Sequence, residues 1–442
     1  MALSGDWVTP RLWGAPWYEK PALLYWMIGG AFRTGLSPDA APRFAIALCG
    51  FTFLLFYYLW LTREFGQFTG AAATGLLATC ALWVGFSHAA VTDLPMAATF
   101  AAATLLVLPM LDGRPARVAT AAVLLGLSVL AKGLVPLVLA IPFVWFARRR
   151  WREWLSASPV LAFIAVAAPW YVLCYARNGP EFIDVFFLRH TFGRFTSPDL
   201  QHEQPVWFYV PVLLAAVFPS TLLFAFVFRR ALYRDVRMRF LAAIVVFGFL
   251  FFSASRNKLP GYMLPLLPAA CVIAAAGLDA ARRDSPAAVR RALAISSLAL
   301  PLFALTAGLL PAALAGAKNL LPIDHTTAVR TAVTVPLIVL FAAAAFFLKP
   351  PRALALWCIL AACGWLYVEY AALPWVDRAA SARSVWRELP EPKRGFCVGP
   401  VSRNWRYGLN YYSAIPLSDC PPGAVHSAIL PGPTSSSRPV MR

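Results

Sequence analysis

The feature that most constrains this chain is a succession of long apolar runs, separated by short polar gaps, along most of its 442 residues. Only 13% of the residues are charged, against about 25% in soluble globular proteins. A helix needs about 20 apolar residues to cross a bilayer, whereas the strands of a membrane barrel are roughly ten-residue segments of alternating polarity. The runs fit helices, so the sequence predicts an all-α polytopic membrane protein.

The apolar runs predict about twelve transmembrane helices. The runs at 118–131 and 133–147 are short, and a single kinked helix is the alternative for that pair. A single helix would place the later arginine clusters on the opposite side of the membrane. The predicted spans are 42–62, 70–88, 94–111, 118–131, 133–147, 159–176, 207–228, 239–254, 260–279, 291–313, 329–348 and 353–373.

The net charge of +19 and the pI near 10.0 raise the question of a nucleic-acid partner. The position of the charge argues against one, because the basic residues lie in short gaps between apolar runs, as the positive-inside rule describes. With twelve crossings every one of these gaps is cytoplasmic. The basic gaps hold Arg114 and Arg117, Arg148–Arg152, Arg229–Arg239, Arg282–Arg291, and Lys349 with Arg352.

The same count divides the chain into three parts. Residues 1–41 form an extracytoplasmic interfacial loop with short helices, and 42–375 form the transmembrane domain. Residues 376–442 form a small extracytoplasmic α/β appendage with a disordered end, because short apolar segments alternate there with Gly and Pro. Of the eight cysteines, Cys397 and Cys420 lie in this appendage, where a disulfide is compatible with an oxidising compartment. The other six lie in apolar runs.

The opening segment, "GDWVTPRLWGAPWYEKPALLYW", is too rich in Pro and polar residues to span a membrane. Trp and Tyr prefer the headgroup layer, so we expect this segment to lie along the outer interface, with "PALLYWMIGGAF" as a short surface helix. Glu19 and Lys20 would then lie at the level of lipid phosphates. Because the chain starts outside with no signal peptide, we expect an upstream transmembrane helix in an extended reading frame.

Polar residues in the outer loops point to a shared site. Lysine is rare, with six residues against 33 arginines, yet Lys20, Lys132 and Lys258 all fall at outer helix ends. Asp93 lies at another. Ionisable groups at membrane depth are costly and indicate function, and a compact ammonium suits a phosphate partner. The alternative is that each lysine extends separately to the interface.

Six motifs, in this order, resemble those of the bacterial polyprenyl-phosphate-sugar transferases, whose best-known members are the 4-amino-4-deoxy-L-arabinose lipid A transferases. Protein O-mannosyltransferases are more distant relatives. The resemblance is close over about residues 3–270 and does not specify the sugar or the acceptor. The motifs are "SGDWVTPRLWGAPWYEKPALLYW", "TDLPM", "LAKGLVP", "RHTFGRF", "HEQPVWFYVPV" and "NKLPGYMLPLLP".

The resemblance implies a GT-C glycosyltransferase with about thirteen helices in the complete family architecture. It implies transfer of a sugar from undecaprenyl phosphate to a periplasmic acceptor, such as lipid A or another envelope glycolipid, at the bacterial inner membrane. Family members carry a first helix and an acidic loop motif before the "DWVTPRL" stretch. Both lie upstream of Met1, so we expect residues 1–442 alone to be inactive.

The resemblance also assigns roles to individual residues. No cofactor is required, but Glu19 and His202 are candidates to hold a divalent cation, with a hydrogen bond between their loops as the alternative. Catalytic roles fall to Asp93, Lys20 and Lys132. Donor-phosphate binding falls to Lys20, Arg194, Lys258 and Tyr262.

Two other functions are compatible with the residues. Protein O-mannosylation uses the same class of donor, and the motifs do not separate it from lipid A modification. A transporter or flippase for an anionic lipid also needs cationic groups at the outer face. It should in addition carry polar residues deep in several helices, and the apolar runs here are nearly free of them.

Overall fold

In the computed structural model the chain is mostly α-helical and divides into two compact units, Met1–Ser296 with Ala345–Cys358, and Ser297–Ala344 with Ile359–Arg442. The three-part division at residues 41 and 375 stays a prediction. The structure describes residues 1–2, 4–187, 203–314, 340, 343–344, 347–389, 396–413, 416–421, 428–430 and 440–441.

The opening segment folds as a small antiparallel hairpin followed by a short helix. Strand β1 (Arg11–Leu12) pairs with β2 (Ala15–Pro16) around a turn in which Gly14 has a φ of +83°. Helix α1 (Leu23–Arg33) follows and is only 11 residues long. At about 1.5 Å per residue it is too short to cross a bilayer, as the sequence predicted for "PALLYWMIGGAF".

The rest of the larger unit is a bundle of apolar helices linked by short turns. Short 3₁₀ helices at 148–150, 206–208, 221–228, 230–234 and 260–266 join or extend them. The α-helices are α2 (Ala41–Phe65), α3 (Gln67–Thr79), α4 (Ala81–His88), α5 (Asp93–Leu106), α6 (Leu108–Leu111), α7 (Val118–Lys132), α8 (Val135–Leu139), α9 (Ile141–Phe146), α10 (Trp151–Trp154), α11 (Ala157–Asn178), α12 (Pro180–Ile183), α13 (Tyr209–Ala216), α14 (Val236–Ala254), α15 (Leu267–Asp284) and α16 (Pro286–Ser297).

The helices confirm a multi-pass membrane protein. Among the described residues, seven helices are long and apolar enough to cross a membrane, or up to nine if two bent pairs each count as one span. The pairs bend by 61° between α3 and α4 and by 112° between α13 and the 221–228 segment. Two shorter apolar helices cover Val118–Lys132 and Val135–Phe146. Every predicted span overlaps one of these elements except 329–348, which lies mostly outside the described residues.

Ion pairs mark one end of this bundle, which we call the Arg237 end. Glu64, at the end of α2, lies 2.5 Å from Arg114 and 3.8 Å from Arg237 in the first turn of α14. Arg237 also lies 3.0 Å from Asp112, just beyond α6. The Glu64 side chain is only 4% exposed. These contacts tie three helix ends together with paired charges, as a carboxylate removed from water requires.

The smaller unit ends in a compact α/β element. Strand β3 (Cys397–Val398) pairs in parallel with β4 (Ala428–Leu430), which pairs antiparallel with β5 (Val440–Met441). Cys397 and Cys420 form a disulfide. This confirms the predicted α/β appendage, and its last stretch, predicted to be disordered, is described only at β5. The helices of this unit are α17 (Leu302–Leu314), α18 (Pro350–Ala380) from Ile359 onward, α19 (Ala382–Glu388) and α20 (Arg403–Ser413).

Candidate functional site

The centre of the candidate site is an ion pair between Asp93 and Lys132. Asp93 is the first residue of α5 and Lys132 is the last residue of α7, so both lie at the end of the bundle opposite the Arg237 end. Lys132 Nζ donates to Asp93 Oδ1 over 2.5 Å. The side chains are only 9% and 16% exposed. In surroundings of low polarity each charge depends on its partner, so the pair is fixed in place.

Gly133 explains why α7 ends at Lys132. Its φ is +80°, a conformation that side chains other than glycine rarely adopt, and its amide still closes the last turn on Val129 O. A Cβ at this position would also lie 3.4 Å from Phe186 Cζ. The Lys-Gly pair therefore terminates the helix and leaves the ammonium at its last turn.

The turn before α15 completes the surroundings of the ion pair. Lys132 Nζ lies 4.7 Å from the centroid of the Tyr262 ring, and this distance makes a cation–π contact. Gly261 lets the backbone approach closely, because a Cβ there would lie 2.7 Å from Asp93 Oδ1 and 2.6 Å from Phe86 Cζ. Among the described residues the Tyr262 hydroxyl makes no hydrogen bond.

The opening segment is anchored at the same end of the bundle. Asp6 accepts hydrogen bonds from the amides of Val8 and Thr9 and pairs with Arg177 at 3.0 Å, near the end of α11. Burial alone would raise the pKa of Asp6, but these amides and Arg177 hold it below its usual value. Trp170 Nε1 donates to Val8 O over 2.9 Å. The segment is therefore attached to α11 and does not extend from the protein.

These anchors bring Glu19 and Lys20 to the end of α7. Tyr18 and Ala22, on either side of them, are buried in one apolar cluster with Leu130. Leu130 precedes Lys132 by two residues. Lys20 Nζ donates to its neighbour's carbonyl, Glu19 O, over 3.2 Å. Lys20 therefore lies at the same end of the bundle as the ion pair.

Glu19 also lies close to Tyr25 of α1. Burial, with a smaller contribution from the negative charge of Glu19, raises the pKa of Tyr25 to about 12. The Tyr25 phenol therefore stays neutral at physiological pH. The charge of Glu19 therefore acts on a residue of the surface helix.

Lys258 has a different environment from the one the sequence suggested. Its ammonium donates to Gln204 O over 2.9 Å and to Ser255 O, and the residue is 4% exposed. Burial lowers its pKa. Glu203 and Asn257 form an antiparallel bridge beside it. These contacts make Lys258 a tether between the end of the long outer loop and the turn before Tyr262, and its role in phosphate binding stays a prediction.

Two of the predicted site residues, Arg194 and His202, lie outside the described residues. Of the two residues predicted to hold a divalent cation, Glu19 and His202, the structure therefore describes only Glu19. Within the described part of the chain, no group of three or more His, Cys, Asp or Glu side chains is arranged to hold a metal ion.

Sequence reasoning missed Gly261 as a site residue. The signal was present in the "KLPGYM" motif, where a glycine between proline and tyrosine at a helix start indicates a close backbone approach. Sequence reasoning also predicted a role for the hydroxyl of Tyr262 but none for its ring. The ring contact with Lys132 depends on how α7 packs beside the 260–266 segment, which the sequence does not specify.

Together these features define a polytopic membrane protein of the GT-C class, with acidic and basic side chains gathered at one end of its helix bundle. The fold matches the crystal structure of ArnT from Cupriavidus metallidurans bound to undecaprenyl phosphate, with a TM-score of 0.74 and 23% identity over 96% of this chain and 80% of that one. The apo structure of the same protein matches with the same TM-score, over 94% and 78%.

Sequence comparison gives the relatives. Residues 19–173 match the family described as dolichyl-phosphate-mannose-protein mannosyltransferase. The undecaprenyl phosphate-alpha-4-amino-4-deoxy-L-arabinose arabinosyl transferase of Pseudomonas aeruginosa (strain LESB58) is 33% identical over 330 residues, 70% of this chain and 58% of that protein. Its counterpart in Erwinia tasmaniensis is 31% identical over 313 residues, covering 66% and 56%.

These matches confirm the predicted resemblance: the chain is related to the polyprenyl-phosphate-sugar glycosyltransferases. The chain spans a little over half the length of the curated relatives it matches.

Proposed function

We propose that the chain forms the membrane part of a glycosyltransferase that takes a sugar from an undecaprenyl-phosphate-linked donor. The sugar passes to lipid A on the periplasmic side of the bacterial inner membrane. The observation that carries the proposal is the mostly buried Asp93–Lys132 pair, packed on Tyr262, at the end of the bundle where the opening segment is anchored. The names and donor of the relatives support the same reaction.

The chemistry of the donor explains the cationic groups. When an acceptor oxygen attacks the anomeric carbon, the bond to the phosphate oxygen breaks and polyprenyl phosphate leaves with the electron pair. Positive groups and hydrogen-bond donors placed at that phosphate stabilise the charge that develops. Lys20 and the Tyr262 hydroxyl lie at this end of the bundle, and Arg194 is proposed to join them.

Asp93 and Lys132 fit an orienting role in this scheme. The carboxylate already accepts a hydrogen bond from Lys132, so one of its oxygens is occupied. An acceptor phosphate is already nucleophilic and requires positioning more than deprotonation. An acceptor hydroxyl would need a carboxylate base, and the second oxygen of Asp93 is the candidate for that proton.

Protein O-mannosylation is the second candidate, favoured by the match of residues 19–173 to the mannosyltransferase family. It differs in the acceptor and in the sugar but not in the leaving group. A flippase for an anionic lipid is the candidate from another class. It would move the donor lipid and form no new glycosidic bond.

Mass analysis of the envelope separates the two transfer functions. Cells that lack the gene should lose a sugar-modified form of lipid A, and expression from the native gene should restore it. Asp93→Asn should fail to restore it at a normal membrane level of protein. The matched control is Asp284→Asn, since that carboxylate is 64% exposed and pairs with Arg229 away from the site. Loss of protein glycans with unchanged lipid A would favour O-mannosylation. Loss of a flippase for the donor lipid would also remove the modified lipid A, so transport is separated by the purified protein, which would then move the donor but form no glycosidic bond.

A further inference from the structure

A cavity lies in the half of the bundle away from the candidate site. Its volume is about 510 Å³, within the range of about 300–1,000 Å³ typical of ligand sites. On α7 its lining runs from Val118 to Leu125, so it begins about 10 Å along the helix from Lys132. The linings from α5, α11 and α14 also come from the halves of those helices nearer the Arg237 end.

The lining of this cavity is apolar and its few polar groups already have partners. The Thr104 hydroxyl donates to Phe100 O over 2.9 Å, and Trp154 Nε1 donates to Ala147 O over 3.1 Å. Water in such a space would find almost no partner, whereas a hydrocarbon chain would fit it. At this depth between the two polar ends of the bundle, the surrounding medium is the bilayer.

A basic segment of the chain adjoins the lining of the cavity. The lining residues Val144, Trp154 and Leu155 flank the Arg148–Arg152 run on both sides. Arg150 is paired with Glu153 and donates to Met110 O and Arg114 O. The side chains of Arg148, Arg149 and Arg152 form no ion pair with a carboxylate among the described residues. Within the described part of the chain, these three arginines therefore place positive charge beside the cavity without a paired carboxylate.

Two exposed tryptophans place this segment at the membrane interface. Trp145 and Trp151 are 66% and 51% exposed, and tryptophan at such positions lies at the level of lipid headgroups. Arg148 lies 4.2 Å over the Trp145 ring, and Arg152 lies 5.5 Å over the Trp151 ring. These contacts place both arginines at headgroup depth. Arg148 also donates to Trp145 O over 3.1 Å, and a guanidinium has five N–H donors, so others remain for a phosphate.

We propose that this cavity binds an anionic phospholipid of the Arg-rich leaflet, with an acyl chain in the apolar space and the headgroup phosphate on Arg148 and Arg149. Basic pockets between transmembrane helices on the cytoplasmic side are typical sites for anionic headgroups. The site is separate from the proposed sugar-transfer site, because its headgroup end faces the opposite side of the membrane. The lipid would fill the space between α5, α7, α11 and α14 and hold these helices at their spacing.

Retention of lipid by the purified full chain tests the proposal. The protein would be exchanged into nanodiscs of phosphatidylcholine with a minor fraction of phosphatidylglycerol, extracted gently, and weighed by native mass spectrometry. The wild type should retain one phosphatidylglycerol in preference to phosphatidylcholine. Each basic residue near an anionic surface contributes about 1 kcal/mol, so Arg148→Gln and Arg149→Gln should each lower this preference about fivefold.

Two further variants test binding of the acyl chain separately from binding of the headgroup. Ala140→Phe fills the cavity and should abolish retention, and Ala122→Phe provides a second substitution in case the first fails to fold. The matched controls are Arg43→Gln, an exposed arginine on α2, and Ala47→Phe, an exposed alanine on the same helix; both should retain the lipid as the wild type does. Unchanged retention in both cavity-filling variants would overturn the proposal. Displacement of the lipid by added undecaprenyl phosphate would also overturn it, because the cavity would then belong to the sugar donor.

Discussion

Lys132 and Asp93 lie 39 residues apart in the sequence, yet their charged atoms meet at 2.5 Å where α7 ends and α5 begins. The pair joins two of the helices that build the larger unit, and Tyr262 covers the ammonium from a third segment. A charge pair that is mostly buried contributes little to stability, but it fixes the relative positions of the two helix ends that carry it. It is costly to break from one side, because the remaining charge loses its partner.

A double-mutant cycle should reveal this coupling. Removing one partner of a buried pair costs about 3–5 kcal/mol, so Lys132→Met and Asp93→Asn should each lower the unfolding temperature in detergent. The variant that carries both changes should be less destabilised than the sum of the two, by about 0.5–3 kcal/mol. Thermal unfolding, monitored by tryptophan fluorescence, gives the loss of stability in each of the three variants. Additive losses would mean that the two side chains act independently.

Gly261→Ala should disturb the ion pair without altering either charged residue. The added Cβ would lie 2.7 Å from Asp93 Oδ1, closer than real Cβ atoms approach, so the carboxylate or the turn must move. Sugar transfer should fall by at least tenfold, since small displacements of a site group have large effects on rate. The control is Gly85→Ala, where a Cβ meets nothing within 4 Å. Equal activity of the two variants would exclude Gly261 as a positioning residue.

The buried ammonium of Lys258 should make stability depend on pH in the alkaline range. Burial lowers its folded-state pKa below the reference of 10.5, so the unfolded chain binds more protons between the two values. Stability from this group therefore rises with pH through that window and is lost as pH falls through the folded pKa. In Lys258→Met the unfolding temperature should rise less between pH 8 and 10 than in the exposed control Lys349→Met. Identical slopes would show that Lys258 has an ordinary pKa.

Opening the disulfide should destabilise the C-terminal element alone. Cys397 and Cys420 close a loop with a sequence separation of 23, and a cross-link of that length contributes about 3 kcal/mol. The variant with Cys397→Ser and Cys420→Ser should therefore be cleaved faster by added protease between residues 396 and 441. Sugar transfer should remain. Unchanged cleavage would indicate that packing of Trp405 and Leu409 suffices to hold the element.

Much of the fold could be predicted because hydrophobicity reports directly on membrane crossing. The predicted span 94–111 coincides with helix residues 93–111, and Asp93 and Lys132 were selected because ionisable groups at membrane depth are costly. The location of Cys397 and Cys420 outside the apolar runs was compatible with a disulfide but did not decide it, and the two residues are bonded.

Other features depend on packing that a linear pattern does not contain. The 61° bend at Cys80 has no Pro or Gly at the break, so the run at 70–88 appeared continuous. The lone Glu64 gave no sign of its pairing with Arg114 and Arg237, because the arginines were interpreted only as topology signals. Lys258 was assigned to the donor phosphate, but the contacts that occupy its ammonium come from backbone carbonyls of two separate segments.

Reconstituted sugar transfer tests the central claim most directly. The protein, expressed from its native gene and purified into liposomes, would receive undecaprenyl-phosphate-linked 4-amino-4-deoxy-L-arabinose and lipid A, with the product followed by mass. The wild type should transfer the sugar. Lys20→Ala, Arg194→Ala and Asp93→Asn should each reduce the rate about a hundredfold to a thousandfold, and Lys20→Arg should not fully restore it. Near wild-type rates in all three variants would contradict the proposed site, and a folded wild type that transfers no sugar to lipid A would contradict the proposed reaction.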